Sequence, residues 1–258
     1  MRMLDINSDM GEGFGHWPLG SDDALLEHVS STNIACGFHA GDPRTMATLV
    51  RNATARGVSI GAHPGLPDLQ GFGRREMKIS PTEAYEMTVY QIGALKGFTD
   101  AAGVRLAHVK AHGALYNMAA KDLKLAEALA RAVKDVDASL VFFVLSGSAM
   151  VECARGLGLK IACEVFGDRS YQDDGSLTPR AQPGAMITDL KQSVDQVLRM
   201  VREGKVRAQS GKDVAIECDT LCLHGDQPGA VAFAREVRCA LEAEGVRIAP
   251  ATGRANSS

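Results

Sequence analysis

Three polar side chains near the start of the chain stand at every second position: Asp5, Asn7 and Asp9. In an extended strand this spacing places all three on one face. Against an apolar core, each unpaired polar group would cost about 1–3 kcal/mol, so these residues either face a wet cavity or cap loops. Glu12 follows in a glycine-rich loop. The cavity interpretation predicts carboxylates that act as acids or bases, or that hold a cation.

Four of the seven histidines stand in equivalent places, directly after a short hydrophobic run and beside glycine or proline. These four are His39, His63, His112 and His224. Imidazole exchanges protons near neutral pH and is a common metal ligand. A single histidine in such a place would be interpreted as structural. Four of them, with the acidic residues of the first strand, predict a catalytic cluster.

Further charged residues end other strand-like runs. Lys110 lies two residues before His112, so both side chains share a face of one strand. Glu164, Asp168 and Arg169 stand at the end of another run, and Asp226 ends the last one. We expect these groups to join the same cluster.

Arginines in two loops are candidates for binding an anion. Arg169 is followed by a polar loop over 170–183 that contains Arg180, and the length of this loop predicts a functional lid. Guanidinium groups bind carboxylate or phosphate through paired hydrogen bonds. Arg74, in a glycine-containing loop over 67–75, is another candidate. For each arginine, a surface salt bridge remains the alternative.

Familiar motifs for other chemistries are absent from the sequence. It contains neither a P-loop nor a dinucleotide-binding glycine fingerprint after a strand, and neither a nucleophile elbow nor a His-Glu-x-x-His pair. Two reaction classes remain. One is acid–base hydrolysis or transfer by the carboxylates, Lys110 and the histidines, and the other is metal-assisted hydrolysis by aspartate and histidine.

The composition argues against several classes of protein. The 258 residues are 45% hydrophobic and carry a formal net charge of −3, which argues against disorder and against nucleic-acid binding. No apolar run reaches the length of a membrane span, and Asp5 interrupts any signal-peptide core. The six cysteines contain no Cys-x-x-Cys pair and are expected to be free thiols. We therefore expect a cytoplasmic protein without membrane or nucleic-acid partners.

Seven strand-like runs alternate with amphipathic helical segments and must position these residues. The runs are Met3–Ser8, Thr32–Cys36, Val58–Ala62, Leu106–Lys110, Leu140–Leu145, Lys160–Val165 and Thr220–Leu223. Such alternation predicts right-handed crossovers and a parallel sheet, either open or closed. Polar clusters follow nearly every run, and a barrel gathers all such loops at one mouth. We predict a distorted seven-stranded (β/α) barrel over residues 1–250, an appended hairpin over 206–217, and a disordered tail over 251–258.

Six motifs in order over about residues 4–248 resemble those of the LamB/YcsF family. They are DINSDMGEGFG from Asp5, ACGFHAGDP from Ala35, GAHPGLPDLQGFGR from Gly61, VKAHGALYN from Val109, EVFGDR from Glu164 and LHGD from Leu223. The resemblance implies ATP-dependent opening of 5-oxo-L-proline to L-glutamate, as in bacterial 5-oxoprolinase, with ATP as cofactor and with two partner subunits, B and C. It also implies a seven-stranded barrel similar to that of polysaccharide deacetylases.

On this hypothesis, phosphorylation of the lactam oxygen would create a leaving group and let water attack the ring carbon. Lys110 and Arg169 would neutralise phosphate or carboxylate charge. Asp5, Asp9 or Glu12 would position water or a divalent cation such as Mg²⁺ or Zn²⁺, and the four histidines would move protons. Two rival interpretations remain open: a metal-dependent amidase or carbohydrate deacetylase that acts without ATP, and a non-catalytic scaffold.

Overall fold

Seven parallel strands close into a barrel in the computed structural model, which describes residues 2–17, 19–180, 182–223 and 229–251. The strands of the chain are β1 (Met3–Met10), β2 (Ser31–Ala35), β3 (Ser59–His63), β4 (His108–Lys110), β5 (Val141–Leu145), β6 (Lys160–Phe166), β7 (Lys205–Arg207), β8 (Asp213–Ala215), β9 (Thr220–Cys222) and β10 (Arg247–Ile248). Strands β1 to β6 follow one another around the barrel, and β9 pairs with both β6 and β1. The predicted distorted seven-stranded (β/α) barrel is therefore confirmed.

The short strand β9 closes the barrel between β6 and β1. In the parallel register, Thr220 stands opposite Asp5 of β1 on one side and opposite Glu164 of β6 on the other. Strand β10 lies outside this ring and pairs with the start of β1. Because every strand of the ring runs in the same direction, all of the carboxyl ends meet at one mouth.

Helices surround the barrel. They are α1 (Asp22–Leu25), α2 (Pro43–Ala55), α3 (Pro81–Ala101), α4 (Gly113–Ala119), α5 (Leu123–Val136), α6 (Ala149–Gly156), α7 (Leu190–Glu203) and α8 (Ala230–Ala243). Helix α2 begins where the Asp42 carboxylate accepts a hydrogen bond from the Thr45 N–H. Helix α3 begins with a capping box of Ser80 and Glu83. None of the helices in the described ranges combines the length and the apolar character needed to cross a bilayer.

The sequence analysis missed two helices, α1 and α4, because neither is long enough to show a 3.6-residue pattern. Helix α4 begins directly at the mouth, and Gly113 makes this possible. Gly113 has φ +53°, and a Cβ there would lie 2.7 Å from the carbonyl oxygen of Gly73. The Ala114 N–H donates to that same carbonyl at 2.9 Å, so the start of α4 is fixed to the preceding loop.

The predicted hairpin is present as the antiparallel pair β7–β8. It supports the long segment between β6 and α7: the Gln209 N–H donates to the Tyr171 carbonyl at 2.9 Å, and Tyr171 is fully buried. Ala251, expected to begin a disordered tail, packs against a small cluster at Val141 and Phe143. The rest of that expected tail, 252–258, lies outside the described residues.

Candidate active site

A cavity of about 630 Å³ opens at the carboxyl ends of the barrel strands. Loops that follow β1, β3, β4, β5 and β6 contribute to its wall. The residues of the sequence-predicted cluster that line it are Asp9, Glu12, His63, Arg74, Lys110, His112, Arg169 and Arg180. Active sites of (β/α) barrels lie at this end of the fold. The barrel thus brings together residues that are up to 171 positions apart in the sequence.

Two histidines at the cavity floor face each other with fixed tautomers. The Nδ1 of His63 lies 2.8 Å from the carbonyl oxygen of Lys110, and the Nε2 of His112 lies 2.8 Å from that of Phe72. A carbonyl can only accept, so each of these nitrogens carries a proton. The other two nitrogens, Nε2 of His63 and Nδ1 of His112, are 3.0 Å apart, and two neutral rings would therefore bring two lone pairs together. Either a proton or a metal ion is needed between them.

Carboxylates and a third histidine complete this cluster. Glu12 Oε1 lies 3.4 Å from His112 Nδ1 and 3.4 Å from His39 Nε2, and Asp9 Oδ2 lies 3.3 Å from His63 Nε2. His39 is fully buried and stacks on His112, with ring centroids 3.7 Å apart. Neither ring nitrogen of His39 has a hydrogen-bond partner among the described residues.

Burial keeps two of the three rings uncharged. Desolvation, followed by the neighbouring His63, lowers the pKa of His112 to about 3. Desolvation, followed by His112, likewise holds the pKa of His39 well below its ordinary value. Neutral imidazole is the form that binds metals, and with the carboxylates it is the donor set that Zn²⁺ and related divalent ions prefer. One donor atom each from Glu12, His39, His63 and His112 lies within 4.8 Å of the others.

These donors fit a divalent cation, and the surroundings of the rings support this assignment. Metal-binding histidines characteristically donate their second N–H to a carbonyl or carboxylate, as His63 and His112 do. The Phe72 carbonyl that holds His112 belongs to a residue with φ +54°, a backbone conformation that non-glycine residues rarely adopt. Such strain persists only where the surrounding structure imposes it, and it is common at functional sites.

Lys110 lies below the histidines within an unusually dense group of acceptors. Its Nζ contacts Glu164 Oε1 at 2.8 Å, Asp9 Oδ1 at 3.0 Å, Cys222 Sγ at 3.1 Å and Asn7 Oδ1 at 3.2 Å. Burial acts to lower the pKa of Lys110, but Asp9 and then Cys222 and Glu164 raise it well above the usual range. Lys110 is therefore a fixed ammonium group that compensates the buried Glu164 and the partly exposed Asp9, rather than a nucleophile.

Asp5 and Asn7 do not reach the cavity, so the expectation of one wet face for the first strand is wrong for these two. Both are almost completely buried, because β1 lies inside the closed barrel along its length and residues two apart stand at successive depths. Asp5 accepts hydrogen bonds from Ser30, Ser31 and Thr220. The carboxylate of Asp5 therefore joins strands rather than facing solvent.

The pKa of Asp5 predicts a pH-dependent stability. Desolvation, only partly offset by hydrogen bonds from Ser30 and Thr220, raises this pKa from 3.8 to about 6. A raised carboxyl pKa favours the protonated form in the folded state, so its stability contribution is full below pH 4 and is lost as the pH rises through 6. A shift of this size corresponds to about 3 kcal/mol.

The Asp5→Asn variant removes this titration while keeping the side-chain shape. We expect the free energy of unfolding of the original chain, relative to Asp5→Asn, to fall by about 2 kcal/mol between pH 4 and pH 7. Urea denaturation of both proteins at a series of pH values measures this difference, and other titrating groups cancel in it. A difference that does not change with pH would contradict the assignment.

The remaining predicted site residues lie around this centre. Glu164 is fully buried beneath Lys110 and accepts a hydrogen bond from the Tyr116 hydroxyl at 2.7 Å. Asp168 is buried beside Arg169 and does not line the cavity. Arg74 lies over the Phe72 ring at 4.9 Å. The two remaining predicted residues lie outside the described ranges: His224 and Asp226.

Asn33 is an interior residue that the sequence analysis missed. Its Nδ2 donates to Asn7 Oδ1 at 2.7 Å and to Asp9 Oδ1 at 2.8 Å, and its Oδ1 lies 2.8 Å from His108 Nε2. Asn33 therefore links the first strand to the buried His108. The sequence could have indicated this role, because Ser31 and Asn33 on β2 are polar residues two positions apart, as Asp5, Asn7 and Asp9 are on β1.

Comparison with known proteins shows what the chain is similar to. A sequence model described as the LamB/YcsF family matches residues 4–256. A Bordetella pertussis protein, named as the A subunit of 5-oxoprolinase, is 60% identical over 245 residues, 95% of this chain and 97% of that protein. A Bacillus subtilis protein of the same name is 54% identical over 248 residues, 96% of each chain.

A solved structure agrees with these relatives. The crystal structure of a lactam utilization protein from Thermus thermophilus superposes with a TM-score of 0.91 at 49% sequence identity. The match covers 96% of this chain and 99% of that one.

Proposed function

The chain belongs to the LamB/YcsF family, and from this premise we propose that it acts as the A subunit of a cytoplasmic 5-oxoprolinase. The proposed reaction opens 5-oxo-L-proline to L-glutamate and is coupled to hydrolysis of ATP to ADP and phosphate through two partner subunits, B and C. The observation that carries the proposal is the cluster of lone pairs from Glu12, His63 and His112 at the cavity floor, in a chain whose relatives bear this name.

The chemistry of a lactam explains why such a centre is needed. Resonance makes the carbonyl carbon of a five-membered cyclic amide a poor electrophile. Transfer of a phosphoryl group from ATP to the lactam oxygen would activate the ring carbon, and water would add to that carbon. Breaking of the ring C–N bond would then release the protonated amine and leave an acyl phosphate, which a second water would hydrolyse to the carboxylate and free phosphate. When bound, a divalent cation would polarise the reacting oxygen and acidify a water molecule.

The chain's own residues would support this step. His63 and His112 would hold the cation, with their ring orientations fixed by the Lys110 and Phe72 carbonyls. Asp9 and Glu12 line the cavity beside them and would orient water or accept its proton. Lys110 would keep Asp9 ionised through its contact at 3.0 Å.

The alternative is a metal-dependent amidase or deacetylase that acts without ATP. The cluster of histidines and carboxylates supports this alternative too, because such a donor set can promote amide hydrolysis by itself. The two proposals differ in their need for a nucleotide and for partner subunits.

Reconstitution separates the two proposals. We expect L-glutamate formation from 5-oxo-L-proline only when the purified chain, subunits B and C and ATP are all present, with one phosphate released per glutamate. Glutamate and phosphate are measured with each component omitted in turn. Amide hydrolysis by the chain alone, without ATP and sensitive to chelators, would support the alternative instead. No glutamate from the complete mixture would contradict the proposal.

A further inference from the structure

A second part of the cavity wall carries two arginines, Arg169 and Arg180, together with Asp174. It is built by the segments that follow the paired strands β5 and β6. Residues 146–149 of the first segment and residue 169 of the second line the cavity. The histidine side of the cavity, in contrast, comes from the segments after β1 to β4. The barrel therefore places two different kinds of ligand group across one cavity.

Arg169 is the central residue of this second wall. It is only 7% exposed and lines the cavity. Its Nη2 donates to the Thr178 carbonyl at 2.6 Å, and its Nε has no hydrogen-bond partner within the described ranges. Within the described residues its guanidinium forms no ion pair, and the neighbouring carboxylate of Asp168 offsets its charge only in part, because the pKa of Arg169 is still lowered by burial. A buried guanidinium without a direct ion pair is costly, and an anionic ligand would compensate it.

The start of helix α6 reaches the same wall. Ser148 is the N-cap residue of this helix, but its side chain makes no capping hydrogen bond, and its buried hydroxyl has no partner among the described residues. The N-terminus of a helix carries partial positive charge and favours anions. Ser146, Ser148 and Ala149 all line the cavity beside Arg169.

Arg180 is an exposed residue of the same wall. It lines the cavity, and its charge acts on Arg169, where burial and then Arg180 lower the pKa of the Arg169 guanidinium. Two guanidinium groups that repel each other within one wall are stabilised together when an anion binds between them. Both lie in the segment that the β7–β8 hairpin supports through Tyr171.

We propose that Arg169, with Arg180 and the N-terminus of α6, forms a subsite for an oxyanion of the substrate and so selects anionic over neutral lactams. This inference rests on the proposed function only for the identity of the substrate. In 5-oxo-L-proline the oxyanion is the carboxylate on the ring carbon next to nitrogen, and a phosphoryl group would offer the same chemistry. The subsite would hold that group while the reacting carbonyl faces the histidines.

Direct binding to the purified chain tests the subsite without requiring turnover. Calorimetric titrations use 5-oxo-L-proline, its neutral carboxamide and inorganic phosphate, with the original chain, Arg169→Gln, Arg169→Lys and the control Arg105→Gln. Arg105 is exposed and precedes β4, at the opposite end of the barrel. We expect Arg169→Gln to weaken the binding of 5-oxo-L-proline about 10–100-fold and to leave the binding of the carboxamide unchanged. Arg169→Lys, which keeps the positive charge, should restore part of the lost affinity.

The outcomes distinguish the sources of the oxyanion. Weaker binding of 5-oxo-L-proline by Arg169→Gln supports the carboxylate subsite. Weaker binding of phosphate alone would assign Arg169 to a phosphoryl group and would contradict its selection of anionic over neutral lactams. Three results would overturn the inference. Arg169→Gln could weaken the binding of 5-oxo-L-proline and of the carboxamide equally, it could change neither affinity, or the original chain could bind neither 5-oxo-L-proline nor phosphate. If the anion binds through Arg169 but the reconstituted mixture makes no glutamate, the subsite stands and the proposed function fails.

Discussion

Replacing His112 with alanine is expected to weaken the binding of Zn²⁺ or Mn²⁺ by the purified chain by more than about 100-fold. His112 Nδ1 faces His63 Nε2 at 3.0 Å and Glu12 Oε1 at 3.4 Å, so its loss removes the central donor of the cluster. Equilibrium dialysis with metal analysis measures the affinity and the number of ions bound per chain. Circular dichroism and thermal melting show whether the variant remains folded.

His28→Ala is the matched control, because His28 lies before β2 at the far end of the barrel. It should bind metal as the original chain does. If the original chain binds no divalent ion, or if His112→Ala binds it equally well, the cluster is held together by a proton rather than by a metal. The fixed tautomers allow only these two solutions.

Replacing Lys110 with methionine is expected to destabilise the fold by about 3–5 kcal/mol, because two carboxylates then remain close together without their cation. Lys110 Nζ lies 2.8 Å from Glu164 and 3.0 Å from Asp9, and Glu164 is fully buried. Removing one of those charges in the same molecule should therefore recover stability. Urea denaturation gives the free energy of unfolding of each variant.

The Lys110→Met/Glu164→Gln double variant provides this test. We expect it to be more stable than Lys110→Met by at least about 1 kcal/mol, because only Asp9 then remains charged. Lys96→Met is the control: Lys96 pairs with Asp100 at 2.8 Å on the surface, where such pairs contribute less than about 1 kcal/mol. Additive destabilisation by the two substitutions would contradict the proposed charge compensation.

The barrel could be predicted from the sequence because its signals are local. Each strand is a short hydrophobic run followed by a glycine-containing polar loop, and the main helices carry caps such as Asp42 and Ser80. The equivalent positions of His39, His63 and His112 after successive strands predicted that they converge, and in the structure they do. Helices α1 and α4 are too short to produce a periodic pattern.

Depth within the barrel could not be predicted from spacing. The every-second-residue pattern of Asp5, Asn7 and Asp9 gives the face of the strand but not how far each residue lies from the mouth. Whether a buried carboxylate finds partners depends on strands far away in sequence, such as Thr220 for Asp5 and Lys110 for Asp9. The same holds for Arg169, because a sequence does not show which buried charges form no ion pair within the part of the chain that the structure describes.

The central claim is that the histidine cluster opens the lactam ring. It is tested most directly by glutamate formation in the complete mixture of chain, subunits B and C, ATP and 5-oxo-L-proline, with His112→Ala in place of the original chain. The account predicts a loss of rate on the order of 10³-fold in a folded variant, with His28→Ala unaffected. Glutamate formation by His112→Ala at the original rate would contradict it.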